Sequence, residues 1–195
     1  MRISLGHEFV RGFPDYSMLT VVAKGIDNHR VHAKLQTMLD RVQEQVRSDR
    51  SLDDFRAHPR IASWREAFRL FGTDPDVYPP SIEALVSAVK EGRTIKYHNT
   101  VVALSNYISL RYLVPSGADD LDRVHGDFGI RLARGDEIFV PFDANRIEPP
   151  VKGEVIYADQ RKVMCRRWVW KQGVHTVVEP DTINVTINID VLPPM

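Results

Sequence analysis

The sequence predicts an α+β fold in which helices pack on a mixed or antiparallel sheet. Apolar residues follow helical spacing in several stretches of the first half of the chain. Short runs of β-type residues follow one another after Pro115. The run TINVTINIDV, Thr182–Val191, alternates between polar and apolar residues, which is typical of a half-buried antiparallel strand.

The first half is predicted to hold one strand and four helices. The run Ser17–Ala23 is strand-like and stops at Gly25. Asp27 or Asn28 can cap the next helix. The apolar stripe of that helix comprises Val31, Leu35, Met38, Leu39, Val42 and Val46. The other three helices are expected at Pro59–Phe71, at Ser81–Glu91 with Ser81 as its N-cap, and at Thr100–Leu113.

The second half is predicted to consist of a loop followed by strands. Acids after the turn at Pro115–Gly117 are typical of a solvated loop. The strands are expected at Phe128–Ala133, Glu137–Pro141, Val151–Ala158, Val163–Gln172 and Thr182–Val191. All 195 residues are expected to form a single domain, with residues 1–60 as an extension of it.

Composition excludes several classes of protein. One cysteine allows no internal disulfide framework, and no apolar run reaches the roughly 20 residues that cross a bilayer. The N-terminus lacks the pattern of a signal peptide, so we expect a cytoplasmic protein without a membrane partner. The 26 basic and 26 acidic residues balance, so any contact with nucleic acid must come from a local patch.

Motifs for common cofactors are missing from the sequence. Neither of the glycine-rich phosphate-binding patterns occurs, and G-x-S-x-G is absent. The seven histidines are scattered without the spacing of a metal site. We therefore expect no cofactor and no metal.

The run CRRWVW, Cys165–Trp170, concentrates a thiol, two arginines and two tryptophans. Cys165 is either a nucleophile activated by the arginines or a small buried apolar side chain. In a regular strand, Arg166, Trp168 and Trp170 would share one face, opposite Cys165 and Arg167. Such a face suits stacking on a nucleotide, or a packed surface in which arginine lies on indole.

Two longer segments resemble a known family. They are SNYISLRYLVPSGADDLDRVHGDFGIRLARGDEIF, from Ser105, and GEVIYADQRKVMCRRWVW, from Gly153. Both resemble the B3/B4 domain, which is the editing module in the β subunit of bacterial phenylalanyl-tRNA synthetase and also occurs as free-standing proteins. The upstream stretch Trp64–Val86 is similar to the free-standing members.

The resemblance implies hydrolysis of the ester that links a wrong amino acid to the 3′ end of a tRNA. The synthetase domain removes tyrosine from phenylalanine tRNA, and one free-standing activity removes canavanine from arginine tRNA. In the synthetase, a histidine stands two residues after the proline, where this chain has Gly117. Only Asn106 and, more weakly, Pro115 match residues of the synthetase site position for position.

The resemblance and the residue chemistry together predict a site. Asn106, Ser109 and backbone groups near Gly117 are expected to hold the ester or the attacking water. Asp119, Asp120, Glu154 and Asp159 are candidates for binding a guanidinium-like side chain, and Asp120 and Asp159 are preferred. The residues predicted to contact tRNA are Arg131, Arg161, Arg166, Arg167, Trp168 and Trp170.

The function predicted first is therefore a trans-editing deacylase, with canavanyl-tRNA(Arg) as the preferred substrate. Its partners would be the aminoacylated 3′ end of tRNA and the amino-acid moiety. Three alternatives stay open: a binding module of this family without hydrolysis, an editor of another mischarged tRNA such as tyrosyl-tRNA(Phe), and an unrelated small-molecule enzyme that uses Cys165.

Overall fold

The computed structural model describes residues 1–193, and these residues confirm the α+β class. They form five α-helices and eight strands. The helices are α1 His7–Gly12, α2 Ala33–Ser48, α3 Pro59–Leu70, α4 Ser81–Lys90 and α5 Thr100–Tyr112. The strands are β1 Ile3–Leu5, β2 Ser17–Lys24, β3 Ser116–Asp120, β4 Phe128–Leu132, β5 Val155–Ala158, β6 Val163–Arg166, β7 Lys171–Gln172 and β8 Asn184–Val191.

The strands form two sheets. One is mixed, with the order β1-β4-β5-β6-β7, and its β1–β4 pair is parallel. The other is antiparallel, with the order β2-β8-β3. Residues 1–60 thus supply an edge strand to each sheet. Strand β1 approaches Gly129 so closely that a Cβ there would lie 1.9 Å from the Ser4 carbonyl oxygen, which explains the glycine.

Trp168 lies at the centre of the main core. It is fully buried. Rings from the N-terminal region and from α3 surround it with centroid distances of 4.7 to 5.1 Å, and they belong to Phe9, Phe13, Tyr16 and Trp64. The helices therefore bury their apolar stripes against a sheet through one shared aromatic cluster.

Helix α2 begins later than predicted. His32 is its N-cap, and Val31 is exposed. Asn28 does not cap the helix, because its side chain accepts a hydrogen bond from the Val101 N–H and donates to the Glu179 carbonyl. Helix α4 is capped by Pro80, and Ser81 is its first residue. Helices α3 and α5 agree with the prediction to within one residue.

Two strand predictions and one loop prediction are wrong. The run Val163–Gln172 divides into β6 and β7, because Arg167 and Trp168 adopt positive φ angles of 46° and 61° and form a turn. The run Glu137–Pro141 makes isolated bridges instead of a strand. The loop predicted after Pro115 is strand β3, and its two acids are buried.

Strand β8 is covered on both faces, so the prediction of a half-buried strand is also wrong. The polar residues Thr186, Asn188 and Asp190 are each no more than 4% exposed. Their face lies toward the mixed sheet, where the Tyr157 hydroxyl donates to Asp190 at 2.5 Å. The apolar face packs against α5 through Val185 and Ile187.

Candidate functional site

A cavity of about 450 Å³ lies beside strand β3, between α5 and the segment 168–172. Helix α5 ends at Tyr112, and its C-cap residue Leu113 has a left-handed φ of 53°, which reverses the chain and leads into β3. This reversal places Asn106 and Gly117 on the same cavity wall. The other polar lining residues include Ser105, Ser116, Asp119, Tyr157, Gln172, Asn188 and Asp190.

Asp119 is one of two buried carboxylates in the cavity. Its Oδ1 accepts hydrogen bonds from Gln172 Nε2 at 2.8 Å and from Thr176 Oγ1 at 2.6 Å. Burial raises the pKa of Asp119 to about 6, although both donors act in the opposite direction. The carboxylate is therefore held by neutral donors.

Asp190 is the second buried carboxylate. The hydroxyls of Tyr16 and Tyr157 both donate to its Oδ1 at 2.5 Å. Burial raises the pKa of Asp190 to about 6, and the tyrosine donors only partly offset it. Burial and the adjacent Asp190 also raise the pKa of Tyr157, which keeps its hydroxyl protonated as a donor.

The cavity has an unbalanced charge. Among residues 1–193, its lining includes Asp119 and Asp190 but no lysine, arginine or histidine. Within residues 1–193, neither carboxylate forms a salt bridge. Since buried charges are ordinarily paired, this enclosed negative charge is suited to a positively charged ligand.

The predicted catalytic residues are only partly brought together. Asn106 and Gly117 line the cavity, but Ser109 is buried outside it, where its carbonyl accepts from the Val114 N–H. Ser105 and Ser116 line the cavity instead. Among the described residues, neither of these two hydroxyls has a hydrogen-bond partner.

Two preferred pocket acids, Asp120 and Asp159, lie outside the cavity. Asp120 accepts from the Asp122 N–H and from Thr182 Oγ1. Asp159 accepts from the N–H groups at residues 125, 161 and 162. Burial opposes ionisation of Asp159, but these backbone donors outweigh it and lower its pKa. Both acids therefore organise turns.

Glu154, the remaining candidate acid, also lies outside the cavity. Its carboxylate is buried and accepts from Arg166 Nε and Nη2 at 2.9 and 2.8 Å. It also accepts from the backbone N–H of Arg167 at 3.0 Å. Glu154 thus fixes the turn that carries Trp168 and Trp170.

Three of the predicted tRNA contacts face inward. Arg166 is paired with Glu154, and Trp168 belongs to the core. The guanidinium of Arg167 is buried over the ring of Tyr78 at 3.6 Å. The nucleotide-stacking interpretation assumed a regular strand, whereas the alternative of a packed surface fits Arg167, whose guanidinium also lies 4.6 Å from the ring centroid of Trp170.

The other predicted tRNA contacts keep some accessible surface. Arg161 is exposed, and Trp170 is half-buried at the cavity wall. The guanidinium of Arg131 forms an ion pair with Glu137, which leaves it only partly available to tRNA.

Cys165 lines the cavity, but burial raises the pKa of its thiol, so it stays protonated and is a poor nucleophile.

The sequence prediction missed Asp190, Asn188, Tyr157 and Gln172. For the first two a signal was present, since TINVTINIDV places several polar residues on one strand face. That face was interpreted as facing solvent. Tyr157 and Gln172 carried no such signal, because each belongs to a run of strand-forming residues.

Neither a metal cluster nor a membrane span is found in the part of the chain that is described. Within residues 1–193, no three His, Cys, Asp or Glu side chains are grouped so that they could hold a metal ion. None of the helices in that range is both long and apolar enough to cross a membrane.

Comparison with known families decides the classification. Residues 63–195 match the profile of the B3/4 domain, which is more than half of the 195-residue chain. The chain belongs to the B3/4 domain family. The matched region contains Asn106, Gly117, Asp119 and Asp190, so most of the cavity wall lies within the family domain.

Relatives of this B3/4 protein include a synthetase subunit. The phenylalanine–tRNA ligase β subunit of Fusobacterium nucleatum subsp. nucleatum is 28% identical over 92 residues, which is 47% of this chain and 11% of that protein. The chain therefore spans about a tenth of the length of this curated relative. The crystal structure of an N-terminal fragment of the phenylalanyl-tRNA synthetase β-subunit from Pyrococcus horikoshii aligns with a TM-score of 0.40 and 17% identity, over 46% of this chain and 33% of that one.

Proposed function

We propose that this B3/4 protein is a trans-editing aminoacyl-tRNA deacylase that hydrolyses the ester of a mischarged tRNA. The observation that carries the proposal is that the family domain forms an open cavity with Asn106 and Gly117 on one wall. A volume of about 450 Å³ is within the range of small-ligand pockets and suits an aminoacyl group.

An aminoacyl ester is already labile, so positioning of the reactants supplies most of the acceleration required. In our proposal, water attacks the ester carbonyl, and the ribose oxygen leaves as a hydroxyl after taking a proton. Asn106 supplies an amide donor to the developing oxyanion or orients the water. The free hydroxyl of the terminal ribose assists the proton transfer.

Backbone groups of β3 can supplement Asn106. The consecutive residues Pro115–Asp119 all line the cavity, and β3 pairs with β8 along its other edge. N–H groups on the unpaired edge are therefore available to an ester carbonyl. The hydroxyls of Ser105 and Ser116 offer further polar contacts at the same wall.

The preferred substrate is canavanyl-tRNA(Arg). Support comes from the two carboxylates in the cavity, which favour a guanidine-type side chain over the phenol of tyrosine. The accessible Arg161 and the half-buried Trp170 are the proposed contacts for the tRNA end, through charge and through stacking on the terminal adenosine.

A panel of mischarged tRNAs tests this function. We expect release of labelled canavanine from canavanyl-tRNA(Arg) well above the buffer rate, and little release of tyrosine from tyrosyl-tRNA(Phe), whose phenol offers no cation to the two carboxylates. Asn106→Ala should slow release by about 100-fold, the typical effect of removing one oxyanion donor. The exposed Asn145 provides a matched control, and Asn145→Ala should keep the full rate.

Absence of release from every member of the panel would overturn the deacylase proposal. Binding of tRNA without release would then favour a binding module, an alternative consistent with the lack of histidine in the cavity lining. A normal rate in Asn106→Ala would remove Asn106 from the mechanism.

A further inference from the structure

We propose that the cavity recognises an amino-acid ester with two positive charges, and that Asp190 is the residue that selects a cationic side chain. In this arrangement, Asp119 binds the α-ammonium group of the ligand. The inference rests on the proposed function and names its substrate class and a specificity-determining residue. It differs from the sequence prediction, which assigned the cation to Asp120 or Asp159.

Charge balance is the first argument. Both carboxylates are buried, both line the cavity, and neither has a salt bridge among residues 1–193. Any aminoacyl ester carries one α-ammonium group, which neutralises one carboxylate. The second carboxylate stays unpaired and buried unless the side chain of the ligand is also cationic.

Ser105 gives an independent indication of a ligand. The residue is 5% exposed, and its hydroxyl has no hydrogen-bond partner among the described residues, although it lines the cavity. Buried hydroxyls are normally paired. An unpaired hydroxyl in the same cavity as two unpaired charges indicates that polar groups of a bound molecule complete this wall.

The surroundings of the two acids assign their roles. Asp190 accepts hydrogen bonds from the hydroxyls of Tyr16 and Tyr157, and Tyr157 lines the cavity together with Trp168. A carboxylate enclosed by aromatic rings suits a planar, delocalised cation, which can pair with the acid and stack on the rings.

Asp119 has polar surroundings instead. Its donors are the amide of Gln172 and the hydroxyl of Thr176. It lies two residues from Gly117, beside the wall proposed to hold the ester. A compact, strongly hydrated ammonium group next to the ester suits this position.

Three amide probes separate the two charges. L-Argininamide carries both, L-citrullinamide carries only the α-ammonium, and 5-guanidinopentanamide carries only the guanidinium. Calorimetric titration of the full chain should show argininamide binding about 30-fold more tightly than either singly charged probe. A probe that lacks the α-ammonium group or the guanidinium leaves one buried carboxylate without a positively charged partner.

Variants assign each charge to its acid. Asp190→Asn should abolish the preference for argininamide over citrullinamide and keep the preference over 5-guanidinopentanamide. Asp119→Asn should abolish the preference for argininamide over 5-guanidinopentanamide and keep the preference over citrullinamide. Asp136→Asn removes an exposed acid whose ion-pair partner among residues 1–193 is the exposed Arg134, and it should change neither preference.

Equal affinities of the wild-type protein for argininamide and citrullinamide would overturn the inference, even if a variant failed to fold. A preference for argininamide that survives in folded Asp190→Asn would overturn the role of Asp190. Because the titrations involve no tRNA, cation selectivity without deacylation would uphold this inference while the proposed function fails. Release of an uncharged amino acid from its tRNA, together with equal binding of argininamide and citrullinamide, would uphold the proposed function and overturn this inference.

Discussion

At the scale of single residues, Asp119 and Asp190 are buried, and burial of an ionised carboxylate destabilises the folded state. Burial places the pKa of each at about 6, above the ordinary value of 3.8. The folded protein therefore holds extra protons between about pH 4 and pH 6, and its stability falls as pH rises through that window. Above it, both groups are ionised and each reduces the free energy of unfolding.

Asp119→Asn should therefore stabilise the protein at high pH. A shift from 3.8 to about 6 corresponds to at most about 3 kcal/mol in the free energy of unfolding at pH 8. Asparagine can still accept from Gln172 and Thr176. The gain should disappear near pH 4, where the aspartic acid is already neutral in the folded state.

Urea denaturation of both proteins at pH 8 and pH 4 measures this difference. Asp136→Asn serves as the control, because it removes an exposed acid and should change stability little at either pH. A variant less stable than the wild type at pH 8 would show that Asp119 is held by stronger interactions than its two neutral donors.

Gly117→Val should fill part of the cavity without disturbing the fold. A Cβ at this position would meet no atom within 4 Å, and β-branched residues suit a strand. Thermal stability should stay close to that of the wild type, while argininamide affinity and deacylation fall more than about tenfold. Gly117→Ala adds a single methyl group and should be intermediate; full activity in both variants would place the ligand elsewhere.

At the scale of elements, the turn between β6 and β7 shapes the cavity. Alternation predicts a continuous strand over CRRWVW, but that strand would pull Trp168 out of the aromatic core. Two consecutive residues with positive φ, Arg167 and Trp168, cost roughly 1–2 kcal/mol each. Burial of Trp168 and the hydrogen bonds that Glu154 accepts from this turn outweigh that cost.

Glu154→Gln should weaken this turn. It leaves the buried Arg166 guanidinium without a countercharge, which typically costs about 3–5 kcal/mol of unfolding free energy. Urea denaturation near neutral pH measures the loss. Glu148→Gln is the control, because its ion-pair partner Arg146 is 80% exposed and the change should cost less than about 1 kcal/mol. Equal effects of the two substitutions would contradict the role given to Glu154.

At the scale of the whole molecule, the family domain is completed by the N-terminal residues. The family match begins at residue 63, yet β1 and β2 are edge strands of the two sheets. All eight residues of β2 pair with β8, which carries Asp190. Tyr16, a donor to Asp190, also comes from this region.

A fragment of residues 63–195 should therefore not fold alone. It lacks Phe9 and Tyr16, which pack on Trp168, and it leaves an edge of β8 unpaired. Near-ultraviolet circular dichroism and thermal melting should show no cooperative transition. Co-expression with residues 1–62 should restore a cooperative transition. A fragment that melts within a few degrees of the full chain would show that the first 62 residues are dispensable.

Local pattern was sufficient to locate most elements along the chain. The spacing of apolar residues located α3 and α5, helix-end signals located α4, a run of β-type residues located β2, and alternation located β8. Asn106 and Gly117 were found through the resemblance to the B3/B4 domain. In each case the information lies within a few neighbouring residues.

The sequence by itself thus determined the α+β class and most helices, and its resemblance to the B3/B4 domain pointed to Asn106 and Gly117, which line the cavity. Tertiary structure alone decided which acids face the cavity. Asp120 accepts from the Asp122 N–H and from the distant Thr182 hydroxyl, and Asp159 accepts from three backbone N–H groups, whereas Asp190 accepts from Tyr16, 174 positions away. Whether a carboxylate caps a turn or is left for a ligand depends on which distant side chains pack around it, and local spacing does not encode that.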